Sequence, residues 1–367
     1  MLLTLFALGF AVVYFGMMII LWIGLTRINT CSETKLFRVS IIIAMKNEMQ
    51  NVRTCLDALV NQNYPRNLLE IVIVDDGSTD NTPTILTEYA QKFSYIKIIR
   101  NESTPPGVSS KKYALSKAIA QSKGEILLLT DADCKPQSGW IRAMVSCFDS
   151  EVGFVAGFSP LIDSTNSILG NLLLLDSIAN GIVAAGSIGF EKAITCTGRN
   201  IAYRCEVYNE VNGFNKIMRS ISGDDDLFLQ LVKRETKWKI SFVKSQESIV
   251  PSFQTKNLKQ FLAQKRRHLS AGKYYDFKLQ IAYVLFHSAN LFITIFFIIS
   301  IFTGQNIILA IFLLTSKLLI DWRLMRKGSR AFFKLDMIKY LPLWELFFLG
   351  YHLIIGPASW SGKIKWK

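Results

Sequence analysis

Residues 125–133 read Glu125-Ile126-Leu127-Leu128-Leu129-Thr130-Asp131-Ala132-Asp133. The apolar run has the length and composition of a buried strand, and it ends in two carboxylates one residue apart. Because ligands of open α/β sheets bind at the carboxyl ends of strands, Asp131 and Asp133 could share a hard divalent cation and through it hold a diphosphate. The plain alternative is a strand followed by an acidic turn, and Asp-x-Asp alone does not separate the two interpretations.

Strands and helices alternate on the N-terminal side of this segment. Residues 39–45, 71–74 and 95–99 have the composition of strands. Helical spacing follows the first at 49–61, Thr82-Pro83 is a helix-start signal, and a further helix is expected at about 109–121. Polar residues gather where the strands end. The pattern predicts a doubly wound, nucleotide-binding α/β sheet without a Gly-x-Gly-x-x-Gly or Walker A signature.

Half of the 367 residues are hydrophobic, and the most apolar ones cluster at the two ends of the chain. Residues 1–25 contain no charge and are long enough to span a bilayer, so residues 1–26 are predicted to be an N-terminal anchor. Further apolar runs occupy 281–302, 307–320 and 341–357. We interpret the first two as clear spans. The third is short and polar enough to be a crossing or a re-entrant hairpin, and the hairpin would keep the basic C-terminus on the cytoplasmic side.

The formal charge of +14 does not indicate a nucleic-acid partner, because the basic residues crowd beside the apolar segments. That distribution is typical of cytoplasmic membrane flanks, with anionic lipid as the partner. The six cysteines show no CxxC pair and no metal-ligand spacing, which predicts reduced and mostly buried thiols.

Three motifs carry a family resemblance. They are Ala44-Met45-Lys46-Asn47-Glu48, Val74-Asp75-Asp76-Gly77-Ser78-Thr79-Asp80 and Asp131-Ala132-Asp133. Their order and spacing resemble the nucleotide half of family 2 inverting glycosyltransferases, which have the GT-A fold. The resemblance implies that the nucleotide-sugar is bound by Ala44, Asn47, Glu48, Asp75, Asp76, Lys111, Asp131, Ala132 and Asp133. Of these, Asp131 and Asp133 would hold Mg²⁺ or Mn²⁺. For Lys111 the alternative is a solvated helix face.

The acceptor half of the domain carries two further motifs. Cys196-Thr197-Gly198-Arg199-Asn200 resembles the loop that borders the acceptor, which implies acceptor-side roles for Gly198 and Asn200. Gly223-Asp224-Asp225 resembles the Gly-Asp-Asp at the catalytic-base position of hyaluronan-type synthases, which implies that Asp225 is the base. The more general family pattern places the base at Asp224, and a helix-opening acidic run is also a common structural feature. Residues 168–190 are expected to be a buried or membrane-apposed helix, because polar residues interrupt the run.

The segment Gln264-Lys265-Arg266-Arg267-His268 lies in a basic amphipathic stretch typical of the membrane interface. It resembles the Gln-x-x-Arg-Trp signature of cellulose, chitin and hyaluronan synthases, with His268 in place of Trp. The resemblance implies that Gln264, Arg267 and His268 border the diphosphate and the acceptor. A helix that contacts only lipid is the alternative. Without the aromatic platform of Trp, processive polymerisation is less favoured than transfer of one or a few sugars.

We therefore predict a cytosolic GT-A domain at 37–252, an interface segment at 253–280 and a C-terminal membrane region at 281–360. The expected activity is inverting transfer from a nucleotide-sugar, expected to be a UDP-sugar, to a lipid-linked or saccharide acceptor at the cytoplasmic face of a membrane. The alternatives are a processive polysaccharide synthase and, more distantly, a non-catalytic nucleotide-binding membrane protein.

Overall fold

The computed structural model describes residues 1–28, 30–32, 34–162, 167–253, 257–332 and 338–359. Its strands are β1 Val39–Met45, β2 Leu69–Asp75, β3 Ile96–Arg100, β4 Ile126–Leu129, β5 Val152–Ala156, β6 Leu161–Ile162, β7 Ile201–Arg204, β8 Lys239–Phe242 and β9 Ser252–Phe253. Its helices are α1 Leu2–Arg27, α2 Val52–Val60, α3 Thr82–Lys92, α4 Ser110–Ala120, α5 Trp140–Val145, α6 Ile168–Gly189, α7 Cys205–Glu210, α8 Asp226–Glu235, α9 Leu258–Leu269, α10 Phe277–Thr303, α11 Ile307–Phe332 and α12 Leu341–Ala358.

The central sheet has the strand order β3-β2-β1-β4-β7-β5-β8. Strand β1 pairs in parallel with both β2 and β4, whereas β7 runs antiparallel between β4 and β5. The register places Met45 opposite Asp75, and Ile42 opposite Leu129. The carboxyl ends of β1, β2 and β4 therefore lie at one edge of the sheet, which brings together the polar segments that follow them. The predicted α/β fold is confirmed.

Both faces of the sheet are covered, so every residue of β1 is buried. On one face Ile41 and Ile43 pack into a core shared with α2, α3 and α5. On the other face Ile42 and Ala44 belong to a core that also contains buried residues of α1, α4, α6 and α10. The sheet and the apolar helices therefore share one hydrophobic core, and packing fixes the position of the sheet relative to these helices.

Four of the described helices, α1, α6, α10 and α12, are long and apolar enough to cross a membrane. Helix α6 differs from the others because most of its surface is buried inside the protein. It packs closely on α1. A Cβ on Gly24 of α1 would lie only 1.7 Å from the carbonyl oxygen of Gly186 on α6, so the two backbones meet at a point that leaves no room for a side chain.

The C-terminal third differs from the sequence prediction in two respects. The predicted span at 307–320 is the first part of the longer helix α11, whose charged residues, including Lys317, Asp321 and Arg323, remove it from the set of apolar helices. The segment at 341–357, for which a re-entrant hairpin was one expectation, is the single uninterrupted helix α12.

The prediction that the cysteines are reduced thiols is wrong for one pair. Cys31, which follows α1, and Cys147, which follows α5, form a disulfide with a Cα–Cα distance of 4.8 Å. The prediction failed because 116 residues separate the two cysteines, and no local spacing indicates that the fold brings them together. Cys55, Cys134, Cys196 and Cys205 are free thiols.

Candidate active site

A cavity of about 950 Å³ lies at the carboxyl edge of the sheet and continues between α6, α9, α10 and α12. Its volume lies in the range of small-molecule sites. At the sheet edge the lining includes six residues that the sequence analysis assigned to nucleotide-sugar binding, namely Ala44, Glu48, Lys111, Asp131, Ala132 and Asp133. The same cavity is lined by Gly198, Asp224, Asp225, Gln264, Arg267 and His268. Segments far apart in sequence thus converge on one space.

Lys111 joins two of these segments. Helix α4 begins after Ser109, whose side chain caps its first turn, and this turn presents Lys111 to the cavity. The Lys111 ammonium lies 2.8 Å from Asp131 Oδ1 and 2.9 Å from Asp224 Oδ2. Burial lowers the pKa of Lys111, but the two carboxylates outweigh it and the net shift is upward. The solvated-face interpretation of Lys111 is therefore wrong.

Asp224, Asp225 and Asp226 form a compact acidic turn at the start of α8. Gly223 has φ +85°, a conformation that favours glycine, and this allows the chain to turn into the helix. Asp225 caps α8: its Oδ1 accepts the Asp226 N–H at 2.8 Å, and its Oδ2 accepts the Gly198 N–H at 2.8 Å. Asp226 accepts a hydrogen bond from the Tyr275 hydroxyl.

The three carboxyls differ in proton affinity. Burial raises the pKa of Asp224, but the ammonium of Lys111 outweighs it and the pKa is lowered. Burial and the neighbouring charge of Asp224 raise the pKa of Asp225. Burial and the charge of Asp225 raise that of Asp226 well above its ordinary value. Asp224 is therefore the paired anion, and Asp225 is the more basic carboxylate that faces the cavity.

Helix α9 carries the segment Gln264–His268 and begins at Asn257, whose side chain accepts the Gln260 N–H at 3.0 Å. Gln264, Arg267 and His268 all line the cavity, so this helix does more than contact lipid. Burial and the charge of Arg267 hold the pKa of His268 well below its ordinary value, which makes the imidazole neutral at physiological pH.

Asn47, Asp75 and Asp76 lie beside the cavity at the ends of β1 and β2 but do not line it. Asp75 Oδ1 accepts the Ser78 N–H at 3.0 Å, whereas Asp75 Oδ2 is buried and has no hydrogen-bond partner. Asp76 accepts hydrogen bonds from Asn101 and Ser110. Asn47 has a left-handed backbone, and its side chain accepts the Thr79 N–H at 2.8 Å.

Asn200 does not occupy the predicted place at the acceptor border. It is fully buried outside the cavity, and its amide group donates to the carbonyl oxygens of Phe158 and Ser248, each at 2.8 Å. Its Oδ1 accepts the Trp140 indole N–H at 2.9 Å. Three neighbours therefore form hydrogen bonds with the polar atoms of the Asn200 side chain. These bonds fix the position of the loop that contains Gly198, and they leave no amide group of Asn200 for a substrate.

The cavity lining includes further polar residues to which the sequence assigned no role, among them Asp176, Lys265, Tyr275, His287 and His352. Asp176 on α6 forms an ion pair with Lys265 and accepts a hydrogen bond from the Tyr351 hydroxyl of α12. A carboxylate inside an apolar run is a recognisable sequence signal of a functional residue. No sequence signal indicated that α10 and α12 place His287 and His352 side by side.

The donor atoms at the sheet edge fit a magnesium or manganese ion. Among the described residues, no group of three or more His, Cys, Asp or Glu side chains forms a complete metal cage. Mg²⁺ is commonly held by one or two carboxylates, with water and substrate phosphate completing the coordination. Asp131 and Asp133, both on the cavity wall, supply that donor set.

The sheet topology and the acidic residues at its strand ends place the fold in the GT-A class, which is typical of proteins that bind nucleotide-sugars. Residues 40–211 match the family model Glycosyl transferase family 2. This part of the chain is therefore similar to glycosyl transferase family 2, the family that the sequence motifs resemble. The matched residues end before Asp224 and before α9.

Several curated proteins are similar to parts of the chain. The Probable glycosyltransferase YdaM of Bacillus subtilis is 28% identical over 198 residues, which cover 53% of this chain and 46% of that protein. The Beta-monoglucosyldiacylglycerol synthase of a Nostoc species is 35% identical over 113 residues, covering 31% and 24%. This chain spans less than half the length of these relatives.

Among solved structures, the Mannosyltransferase PcManGT from Pyrobaculum calidifontis in complex with GDP-Man and Mn²⁺ has the same fold. The TM-score is 0.62 at 17% identity, and the alignment covers 98% of both chains. The likeness therefore extends over the apolar helices as well as the sheet.

Proposed function

We propose that this protein is a membrane-bound inverting glycosyltransferase that transfers a sugar from a nucleotide-sugar to a lipid-linked acceptor at the cytoplasmic face of a membrane. One observation carries the proposal: a single cavity is lined by Asp131 and Asp133, by Asp224 and Asp225, and by the apolar helices α10 and α12. Carboxylates suited to a metal and to a base thus share a space with the wall of the membrane region.

The donor would bind at the ends of β1, β2 and β4. The buried Asp75 Oδ2 has no partner, and an N–H of a nucleotide base would supply the missing donor. Asp131 and Asp133 would hold Mg²⁺ or Mn²⁺, which when bound offsets the negative charge that develops on the leaving diphosphate. Arg267, which reaches the cavity from α9, would add positive charge on the same side.

The acceptor would react beside Asp225. Its hydroxyl oxygen attacks the anomeric carbon and forms the new glycosidic bond while the bond to the diphosphate breaks. The hydroxyl proton passes to Asp225, the carboxylate whose pKa burial and Asp224 raise. Asp224 is the weaker candidate for the base because Lys111 neutralises it at 2.9 Å. In this scheme Lys111 and Asp224 are positioning residues.

The test is release of nucleoside diphosphate by the purified full-length protein in detergent. A panel of nucleotide-sugars, UDP-sugars included, is screened with Mn²⁺, Mg²⁺ or chelator, in the presence and absence of total membrane lipid. We expect metal-dependent release with one donor, stimulated by lipid. Absence of release across the panel, with Asp133→Ala indistinguishable from the parent, would overturn the proposal in favour of a non-catalytic nucleotide-binding protein.

A further inference from the structure

The part of the cavity formed by α10 and α12, which we name the membrane half, is unusual in its polarity. It lies between two helices that are apolar enough to cross a membrane. Its lining nevertheless includes the polar side chains of Gln280, Tyr283, His287, Ser288 and His352. An acyl chain needs no hydrogen-bonding groups around it, and polar side chains within a bilayer are costly unless they serve a ligand or one another. The membrane half is therefore built for more than a hydrocarbon tail.

These side chains form a continuous row that starts at the acidic turn. The Tyr275 hydroxyl donates to Asp226, and the Tyr275 ring lies 5.8 Å from that of Tyr283. The ring of His287 follows at 6.4 Å from Tyr283, and that of His352 lies 4.5 Å from His287. From Phe277 to His287 the helix rises by about 15 Å. The row thus leads from Asp226, the neighbour of the proposed base, well into the membrane region.

Charge is arranged differently in the two parts of the cavity. None of the lining residues that α10 and α12 contribute is charged. Asp176 and Lys265, which line the cavity from α6 and α9, are paired with each other. A phosphate-bearing head group in the membrane half would have no counter-charge, and an unpaired anion at low dielectric is strongly disfavoured. Hydroxyl groups, in contrast, match imidazole and phenol side chains, which both donate and accept hydrogen bonds.

We propose that the acceptor is a lipid with an uncharged, hydroxyl-bearing head group, of the glycerolipid or glycosylated glycerolipid class, and that His287 and His352 hydrogen-bond this head group. This inference rests on the proposed function and specifies its acceptor. His352 Nδ1 lies 3.0 Å from the Phe348 carbonyl oxygen, which fixes Nδ1 as the protonated nitrogen and leaves Nε2 as an acceptor for a hydroxyl.

The gap between α10 and α12 provides a path by which the lipid tail can leave this site. Ile281, Val284 and Leu353 line the membrane half and are 41%, 63% and 53% exposed. In a bilayer these side chains face hydrocarbon, so the gap between the two helices opens sideways to lipid. The head group can then lie along the aromatic row while the tail remains in the membrane.

The experiment uses the full-length protein in phosphatidylcholine vesicles that contain diacylglycerol, monoglucosyldiacylglycerol or polyprenyl phosphate, with the donor that the nucleotide-sugar screen selects. Transfer is measured against acceptor concentration for the parent, His287→Phe, His352→Phe and His352→Gln. We expect a neutral glycerolipid to be the preferred acceptor. Each Phe variant should raise the acceptor KM about 3- to 10-fold, the equivalent of one lost hydrogen bond, and His352→Gln should recover part of it.

Phe302→Leu is the matched control, because Phe302 is on α10, 85% exposed and outside the cavity lining; its acceptor KM should equal that of the parent. A nucleotide-induced rise in Tm verifies that each variant is folded, and the two histidines give independent tests if one variant is not. Preference for polyprenyl phosphate, or an unchanged acceptor KM in both Phe variants, would overturn the inference while leaving the glycosyltransferase assignment intact. Failure of the parent to turn over any donor would overturn both.

Discussion

Replacing Asp225 by Asn removes the proposed base but keeps most of the hydrogen bonding that the side chain provides to the backbone. Asp225 Oδ1 and Oδ2 each accept one backbone N–H at 2.8 Å, from Asp226 and from Gly198. Asn keeps one acceptor oxygen, but its NH₂ group must face the other backbone donor. The variant therefore loses one hydrogen bond, which we expect to cost about 1–2 kcal/mol of stability, too little to unfold a typical domain.

The effect on transfer should be far larger. A positioned general base contributes about 10²- to 10⁴-fold to the rate, which corresponds to roughly 3–5 kcal/mol of the barrier, and an amide cannot accept the proton. We expect Asp225→Asn to lower kcat by this factor while the affinity for the nucleotide changes little, since the Asp225 carboxylate accepts its hydrogen bonds from Gly198 and Asp226. Single-turnover transfer and nucleotide titration measure the two quantities separately.

Asp224→Asn is the matched variant, because it removes the neighbouring charge and keeps the proposed base. Lys111 retains its partner Asp131 at 2.8 Å, so we expect only a modest loss of kcat, about tenfold. The pH profile provides a second readout. Ionised Asp225 is the active form, so kcat falls as pH decreases through its raised pKa; without Asp224, which helps to raise that pKa, the acid limb should move to lower pH.

The reverse pattern would refute the reasoning. If Asp224→Asn abolishes transfer while Asp225→Asn retains it, Asp224 is the base, and the ion pair with Lys111 must open in the complex with substrates. An acid limb that stays in place in Asp224→Asn would show that the observed pKa does not belong to Asp225.

Three shorter predictions test the metal, the membrane region and the interface helix. Asp133→Ala should reduce metal-dependent nucleoside diphosphate release about 100-fold or more with an unchanged Tm, and full activity would exclude the metal assignment. Lys317→Met should lower the stability by about 3–5 kcal/mol, measured by thermal unfolding in detergent, because Lys317 is buried 2.9 Å from Asp321 and 2.6 Å from Glu345; an unchanged Tm would contradict this. His268→Trp should lengthen the product, and an unchanged size distribution would show that this position does not control processivity.

The sheet and its acidic edge could be predicted because local signals determine them. Strand β1 was expected at 39–45 and occupies Val39–Met45, since a short apolar run that ends in polar residues has few other structures available. Parallel strands place their carboxyl ends at one edge, so the proximity of Asp131 to Glu48 follows once the fold class is known. Resemblance then extended the prediction to Lys111 and Arg267, both of which line the cavity.

Contacts between distant segments could not be predicted in the same way. The sequence of α6 shows that polar residues interrupt an apolar helix, but it does not show which residues they contact. Asp176, for example, pairs with Lys265, which lies 89 residues later in the chain. The motif around Asn200 indicated a loop at the acceptor, yet only the fold shows that its amide group is consumed by Phe158 and Ser248. Similarly, nothing in the sequence of Cys31 distinguishes it from the free thiols, because disulfide pairing is decided by tertiary distance.

The shared core fixes the sheet relative to the apolar helices, as the proposed transfer to a membrane acceptor requires. Ile42 and Ala44, which lead to the donor end of β1, belong to the same packed cluster as Ala289 and Ile293 of α10. Packed interiors have low compressibility because side chains interdigitate at crystal-like density, so the distance between the acidic turn and the membrane half is fixed. An acceptor whose reactive hydroxyl lies at the wrong depth in the bilayer therefore cannot reach Asp225, and depth becomes a criterion of specificity alongside head-group chemistry.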